Sequence, residues 1–300
     1  MLTLFAIPKP FEGHIGVIQE NALCSWTRLG ISCEVILLGD ERGTAEAAAR
    51  FGFRHVPSVE RNAFGTPLVN SVFNRAERAS PTSVMCYVNA DIILTPDFAH
   101  AVRRVFRDRW PALMVGRRWD VVMEGLWDFQ ASDTEQRLRD RVRRMGRLDP
   151  PQAIDYFLYP RGLWSAMPPF AIGRMSWDNW LIYHARALDL PVIDATRAVT
   201  AIHQRHDYAH VPNGSTGVQA GPEARRNFEL LGGADCIFDV RDSTWVLTRN
   251  ELKPALAPSH LYRRLRTALL FRPQFRSVVH PLVLILRSIR HALQRRHSHI

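Results

Sequence analysis

An apolar run, Tyr87-Val88, leads straight into Asn89-Ala90-Asp91 and on to Ile92-Ile93-Leu94. Residues two apart on an extended chain point the same way, so Asn89 and Asp91 can face one ligand. A carboxylate with an amide oxygen is a hard donor pair suited to Mg2+ or Mn2+. Such ions keep waters and take substrate phosphates as further ligands. The plain alternative is an Asn-Asp turn that bonds its own backbone. A second candidate is Asp178, in Gly173-Arg-Met-Ser-Trp-Asp-Asn-Trp180. Gly173 marks a turn, Ser176 or Trp177 opens a helix, and Asp178 falls in its first turn, where the helix dipole favours an anion. That place suits a structural acid or a general base. A hydroxyl whose pKa lies far above 7 needs a carboxylate to take its proton as it attacks. Trp177 and Trp180, with Asn179 beside them, belong to an aromatic-rich second half that could line a pocket for a flat or amphipathic ligand; buried core is the alternative for both rings.

Further along, a β-leaning run from Ala198 to Ile202 delivers His203, with His206 three residues on. Imidazole is a common metal ligand, and His203 is the better placed of the two because it ends an apolar strand. The segment from Val59 to Asn70 enters a helix N-terminus, a place suited to phosphate. Arg61 could there neutralise a phosphate; an ordinary capped helix is the other reading. Asp155, in front of an apolar strand, is either acceptor-side lining or structural. The absent patterns exclude other chemistries. There is no Walker lysine, no GxGxxG after the first strand, no GxSxG elbow, and none of Cys24, Cys33, Cys86 and Cys236 forms a CxxC pair.

The elements that must position these groups alternate. Strands are expected at Leu2–Ile7, Cys33–Leu38, Val84–Val88 and Ala112–Val115. Helices are expected at Gly13–Leu29, Thr44–Phe51, Thr66–Ala79, with Thr66 as cap and Pro67 at the first position, and Pro96–Arg107. Strands apolar on both faces between helices imply an α/β fold with a mostly parallel sheet covered by helices. Ligands of such sheets bind beyond the carboxyl ends of the strands, here Ile7-Pro8-Lys9, Gly39-Asp40 and Asn89-Ala90-Asp91.

This order of elements, with an Asp ending the second strand and a D-x-D-like triplet ending a later one, resembles the GT-A type of nucleotide-sugar glycosyltransferase, family 2-like, over roughly residues 2 to 205. The resemblance implies a Rossmann-like GT-A domain over residues 1–255. It implies that Asp40 contacts the base, that Pro8, Arg61, Asn70, Asn89 and Asp91 lie along the nucleotide-sugar, and that Asp91, with His203, holds Mn2+ or Mg2+. It places Asp178 as the base of an inverting transfer to a hydroxyl of a glycan or glycolipid, with Asp155, Trp177, Asn179 and Trp180 toward the acceptor. The triplet departs from the family in having Asn where the first Asp often stands, and the usual acidic pair at the base reads Asp178-Asn179. A nucleotidyltransferase would need a Gly-rich loop after the first strand, where the chain has Pro8-Lys-Pro-Phe-Glu-Gly. A non-catalytic docking protein on a decayed transferase fold is the alternative of a different class.

The chain has 300 residues, a formal net charge of +10 and 46% hydrophobic residues, a globular composition. The charge is local. Residues 259–300 hold nine of the 39 basic residues and no acid, leaving 30 basic against 29 acidic residues elsewhere. The body is therefore near neutral, and nucleic acid is not the expected partner. The tail, residues 256–300, mixes Arg with Leu, Val and Ile, a composition suited to peripheral contact with an anionic membrane. Unpaired cysteines and the lack of a basic, long apolar leader point to a cytoplasmic setting, on the inner face of the membrane where the tail docks.

Overall fold

The structure is a computed structural model, and it describes residues 1–106, 111–206 and 219–271. Strand β1 (Leu2–Ala6) is followed by α1 (Gly13–Trp26), β2 (Cys33–Leu38), α2 (Thr44–Phe51), β3 (Arg54–Val56), α3 (Val69–Ala79), β4 (Val84–Val88) and β5 (Ile92–Leu94). Then come α4 (Pro96–Phe106), β6 (Leu113–Val121), α5 (Thr134–Met145), β7 (Arg147–Leu148), β8 (Ile154–Pro160), α6 (Trp177–Ala187), β9 (Val192–Arg197) and β10 (Ala201–Gln204). The chain continues through α7 (Pro222–Leu231), β11 (Trp245–Thr248), β12 (Leu252–Pro254) and α8 (Pro258–Phe271).

The main sheet runs β12-β11-β9-β6-β8-β4-β1-β2-β3. Only β8 and β12 run against the other strands of this path, so the sheet is mostly parallel, as the two-sided apolar strands imply. The side chains of β1 alternate. Leu2, Leu4 and Ala6 join the core under α1, α2 and α4, whereas Phe5 joins the opposite core with α3 and α6. Phe5 packs there against Phe73 and Tyr87, with ring centroids 5.0 and 5.6 Å apart. Burying both faces of the sheet is the main source of stability, at about 25 cal/mol per Å2 of apolar surface.

The far end of β6 leaves the main sheet and pairs with β10, Trp119 opposite Ile202 and Asp120 opposite His203. β10 pairs in turn with β5, His203 opposite Ile92. This small second sheet brings residues 91, 120 and 203 together, although they are distant in sequence.

Three boundaries differ from expectation by more than one residue. Helix α1 ends at Trp26 rather than Leu29, and β6 extends to Val121. Helix α3 begins at Val69, not Thr66, because Pro67 bridges to Arg61 and Leu68 to Ala171 in short β-contacts. The Asn62 side chain closes that loop by accepting from the backbone N–H groups of Phe64 (2.9 Å) and Thr66 (3.0 Å). Helix α8, the start of the basic tail, packs on the body. Arg263 donates to Asp242 Oδ1 at 2.9 Å, and Phe271 stacks on Tyr183. The remainder of the tail, 272–300, lies outside the described residues.

Candidate active site

A cleft of about 1750 Å3 opens beyond the carboxyl ends of β1, β2 and β4. Pro8 and Lys9, Arg61, Asn89 and Asp91, Asp155, Asp178 and Asn179, and His203 and His206 all contribute to its wall. It exceeds the 300–1,000 Å3 typical of a pocket for one small molecule, so two ligands can share it.

On one side, Asp91, His203 and His206 converge, each offering one ligand atom, all within 4.8 Å of one another. Asp91 Oδ2 lies 3.9 Å from Nε2 of each histidine. Its other oxygen is buried and has no hydrogen-bond partner among the described residues. Burial works against the Asp91 charge, but His203, Lys9, His206 and Arg118 outweigh it and hold the carboxyl below its ordinary value. His203 Nδ1 donates to Asp120 Oδ1 at 3.0 Å, since a carboxylate can only accept. His206 Nδ1 donates to the carbonyl of Gln204 at 3.1 Å. Both Nδ1–H groups are thereby satisfied, which in the neutral rings leaves Nε2 as the acceptor nearest Asp91, that of His206 also accepting from Lys9; anchoring of this kind is common behind metal ligands. Two imidazoles and one carboxylate fit a divalent ion of the Mn2+ type, with room in the cleft for water or phosphate oxygens.

Sequence reasoning placed Asp91 and His203 together. The sequence marks His206 as second to His203 and Lys9 only as part of a strand end, and it carries no signal for Asp120 or Gln204. Lys9 donates to His206 Nε2 at 3.2 Å, and its backbone is gripped by Gln19 in both directions, at 2.7 and 2.9 Å. Burial lowers the Lys9 pKa, against the opposing pull of Asp91 and Asp155. Gln204, fully buried, donates to the carbonyls of Ile18 (2.6 Å) and Asp91 (3.0 Å) and accepts from Asn21 (2.9 Å). It ties β10, α1 and the Asp91 turn into one unit.

Asn89 is not a free ligand. It accepts from the Tyr87 hydroxyl at 2.8 Å and donates to Asp155 Oδ1 at 2.6 Å. Asp155 Oδ2 in turn accepts from Arg118 at 2.8 Å. Asp155 thus reaches the cleft as part of a bonded network rather than as a loose acceptor-side acid. Arg118 also bonds Asp149 at 2.9 Å, and the two carboxylates overcome the cost of burial to raise its pKa.

Asp178 faces the cleft from the first turn of α6. Ser176, the residue that caps this helix, has φ of 90°, a conformation rare for a side-chain-bearing residue and typical of functional turns. Burial raises the Asp178 pKa to about 6; the charge of Asp155 adds to the rise, and the backbone N–H groups of Asn179, Asp178 and Ser176 oppose it. One carboxyl oxygen of Asp178 is buried without a hydrogen-bond partner among the described residues. A carboxylate poised near 6 with an open acceptor position has the attributes of a general base.

The acceptor platform expected from Trp177 and Trp180 is not there. Both are 6% exposed and belong to the core. Trp177 meets Tyr87 edge-on at 5.3 Å, and Trp180 stacks on His184 at 4.4 Å. Residues 177 and 180 share one helix face, and both rings are packed among other aromatics, Trp177 also against Phe157 and Trp180 against Trp164 and Phe170. Asn179 donates to the carbonyl of Phe238 at 2.7 Å, an anchor for α6.

Asp40 is exposed at the end of β2, where Gly39 turns the chain at φ of 88°. Arg61 donates to Asp40 at 2.6 Å, to Glu41 at 2.9 Å and to the Gly65 carbonyl at 2.9 Å. The hydrogen bond from Arg61 keeps the Asp40 carboxyl below its usual value. Arg61 therefore braces its loop against β2 instead of standing free for a diphosphate. Asn70 lies in α3 outside the cleft wall, its Oδ1 buried.

No family profile matches the chain, and no curated protein sequence does. Among solved structures, similarity is found to glucosyl-3-phosphoglycerate synthase from Mycobacterium tuberculosis in complex with Mg2+ and UDP. The identity is 15%, over 78% of this chain and 80% of that one, with a TM-score of 0.47. The mannosyltransferase PcManGT from Pyrobaculum calidifontis, in complex with GDP-Man and Mn2+, is 12% identical over 94% and 68%, with a TM-score of 0.47. S. aureus TarS 1–349 in complex with UDP-GlcNAc is 12% identical over 92% and 73%, with a TM-score of 0.49. These likenesses are distant.

Proposed function

We propose that the protein is a metal-dependent glycosyltransferase that moves a sugar from a nucleoside diphosphate-sugar to a hydroxyl of a glycan or glycolipid, with inversion. The observation that carries this reading is the meeting, in one cleft large enough for two ligands, of the Asp91–His203–His206 cluster with a raised-pKa carboxylate, Asp178.

In this reading the nucleoside lies toward Pro8 and the end of β2, where Asp40 is held by Arg61 outside the cleft wall, and the diphosphate lies over Asp91. Asp91, His203 and His206 would hold Mn2+ or Mg2+, whose charge offsets that of the leaving diphosphate. Lys9 adds a second positive charge on the same side. Asn89 holds Asp155 and the Asp91 turn in register. Asp178 accepts the proton of the acceptor hydroxyl as it attacks the anomeric carbon, and the glycosidic oxygen bond forms as the bond to phosphate breaks. The basic segment 256–300 is proposed to keep the enzyme at an anionic membrane surface; exposed Leu256, Leu261 and Leu270 support this. Among the described residues no helix is long and apolar enough to cross a membrane.

The test is incubation with Mn2+ and a panel of uridine, guanosine and thymidine diphosphate-sugars, following nucleoside diphosphate release and donor binding. Binding of at least one donor is expected, with transfer abolished and binding retained in Asp178→Asn. Absence of binding to every donor would overturn the reading.

A further inference from the structure

The cleft has an apolar lip that the catalytic reading does not use. Among the described residues two phenylalanines are exposed, Phe64 (69%) and Phe228 (42%), and both line this cleft. Met175, 52% exposed, lies on the same wall three residues before Asp178. Single exposed apolar residues are ordinary, but several gathered at the mouth of one cleft mark a binding surface.

The lip is built, not loose. The Phe64 loop is closed by the Asn62 side chain. Asn62 also donates to Glu223 Oε1 at 2.6 Å, and Arg174 donates to Glu223 Oε2 at 2.6 Å, so Glu223 joins all three segments. Asn227, fully buried beside Phe228, accepts from the Ala171 N–H at 2.8 Å and donates to the Ala171 and Met175 carbonyls at 2.9 and 3.1 Å. A buried polar frame thus holds three apolar side chains out at the surface. Pro67, Ile172 and Ile237 continue the apolar lining inward along the cleft.

We propose that this lip binds a hydrocarbon chain of the acceptor, so that the acceptor is an amphiphile whose sugar or hydroxyl head reaches Asp178 while its chain lies across Phe64, Met175 and Phe228. The inference rests on the transferase reading for the role of the head group, but the chain-binding surface stands on its own geometry. The occupant is a chain and not a second sugar, because the charged groups beside these side chains are already engaged: Arg174 with Glu223, Glu229 with Arg226 at 3.1 Å, and Arg225 with the Ala220 carbonyl at 3.2 Å. They leave few polar groups for sugar hydroxyls.

The probes are n-hexyl, n-octyl and n-decyl β-D-glucoside below their micelle concentrations. They are titrated into the full chain by saturation-transfer NMR, with Mn2+ and UDP or GDP binding measured on the same samples. A half-buried methylene is worth roughly a twofold gain in affinity, so hexyl to decyl should tighten binding about 15-fold. In the Phe64→Ser/Phe228→Ser variant, whose changed residues are exposed, the gain should fall below about threefold with nucleotide binding unchanged. Length-independent binding in the unmodified protein, or an unaltered length dependence in the variant, would overturn the proposal. Loss of nucleotide binding alone would count against the transferase reading and leave the lip intact.

Discussion

Asp178→Asn should make the protein inactive and more stable at once. Burial holds the Asp178 carboxyl at about 6 in the fold, against an ordinary value of 3.8. A raised pKa means the fold favours the protonated form. That contribution is complete below the unfolded value and disappears as pH rises through 6. Above pH 6 the fold bears an ionised, half-satisfied carboxylate. At 1.36 kcal/mol per pH unit, the displacement from 3.8 to 6 amounts to about 3 kcal/mol. Asparagine copies the neutral acid and removes this cost. At pH 8 the variant should be more stable by about 3 kcal/mol, and at pH 4 by close to nothing. For a chain of this size, that is a rise in Tm of roughly 6 °C at pH 8. Differential scanning calorimetry of both proteins between pH 4 and 8 reads the effect, and the transfer assay reads the loss of activity. A Tm difference that is negative, or that does not grow between pH 4 and 6, would refute the reasoning. A purely structural first-turn acid would give the opposite sign, because losing it would weaken α6.

The same base predicts that kcat/KM for transfer rises with pH through about 6, measured as a pH–rate profile; a flat profile there would remove Asp178 from the role. Asp120→Ala should weaken Mn2+ binding by about 10–100-fold in a calorimetric titration, because His203 loses the partner that fixes its tautomer. Arg118→Ala should cost about 1–3 kcal/mol in denaturant unfolding, since Asp155 and Asp149, each less than a tenth exposed, would keep only Asn89 and Arg147 as partners. Trp180→Ala should lower stability by about 3–5 kcal/mol, while Trp180→Phe should leave the acceptor KM unchanged, as expected of a core ring.

Strand ends and helix starts were legible in the sequence because their signals are local. An apolar strand running into Asn89-Ala90-Asp91, and a turn before Asp178, mark their positions in the chain itself. The alternation of strands and helices was enough to give an α/β fold with a mostly parallel sheet. What could not be read depends on contacts between distant residues. Asp120 faces His203 across 83 positions through the β6–β10 pairing, and Gln204 reaches the Asp91 carbonyl across 113. Trp177 and Trp180 were misassigned although their spacing of three carries the signal. It puts both on one helix face, and a face so apolar belongs to the core. Arg61 looked like a free cation because its partners, Asp40 and Glu41, are 21 and 20 residues away in the turn after β2. The start of α3 moved because Asn62 and two β-bridges hold residues that Thr66-Pro67 alone would have made helical.

The most direct test of the account is a calorimetric titration of the intact protein with UDP- and GDP-sugars, with and without Mn2+, alongside Asp91→Asn. Saturable binding of at least one donor that requires Mn2+ and is lost in Asp91→Asn is the predicted result. Donor binding that is indifferent to both the metal and Asp91, or no binding of any donor, would contradict it.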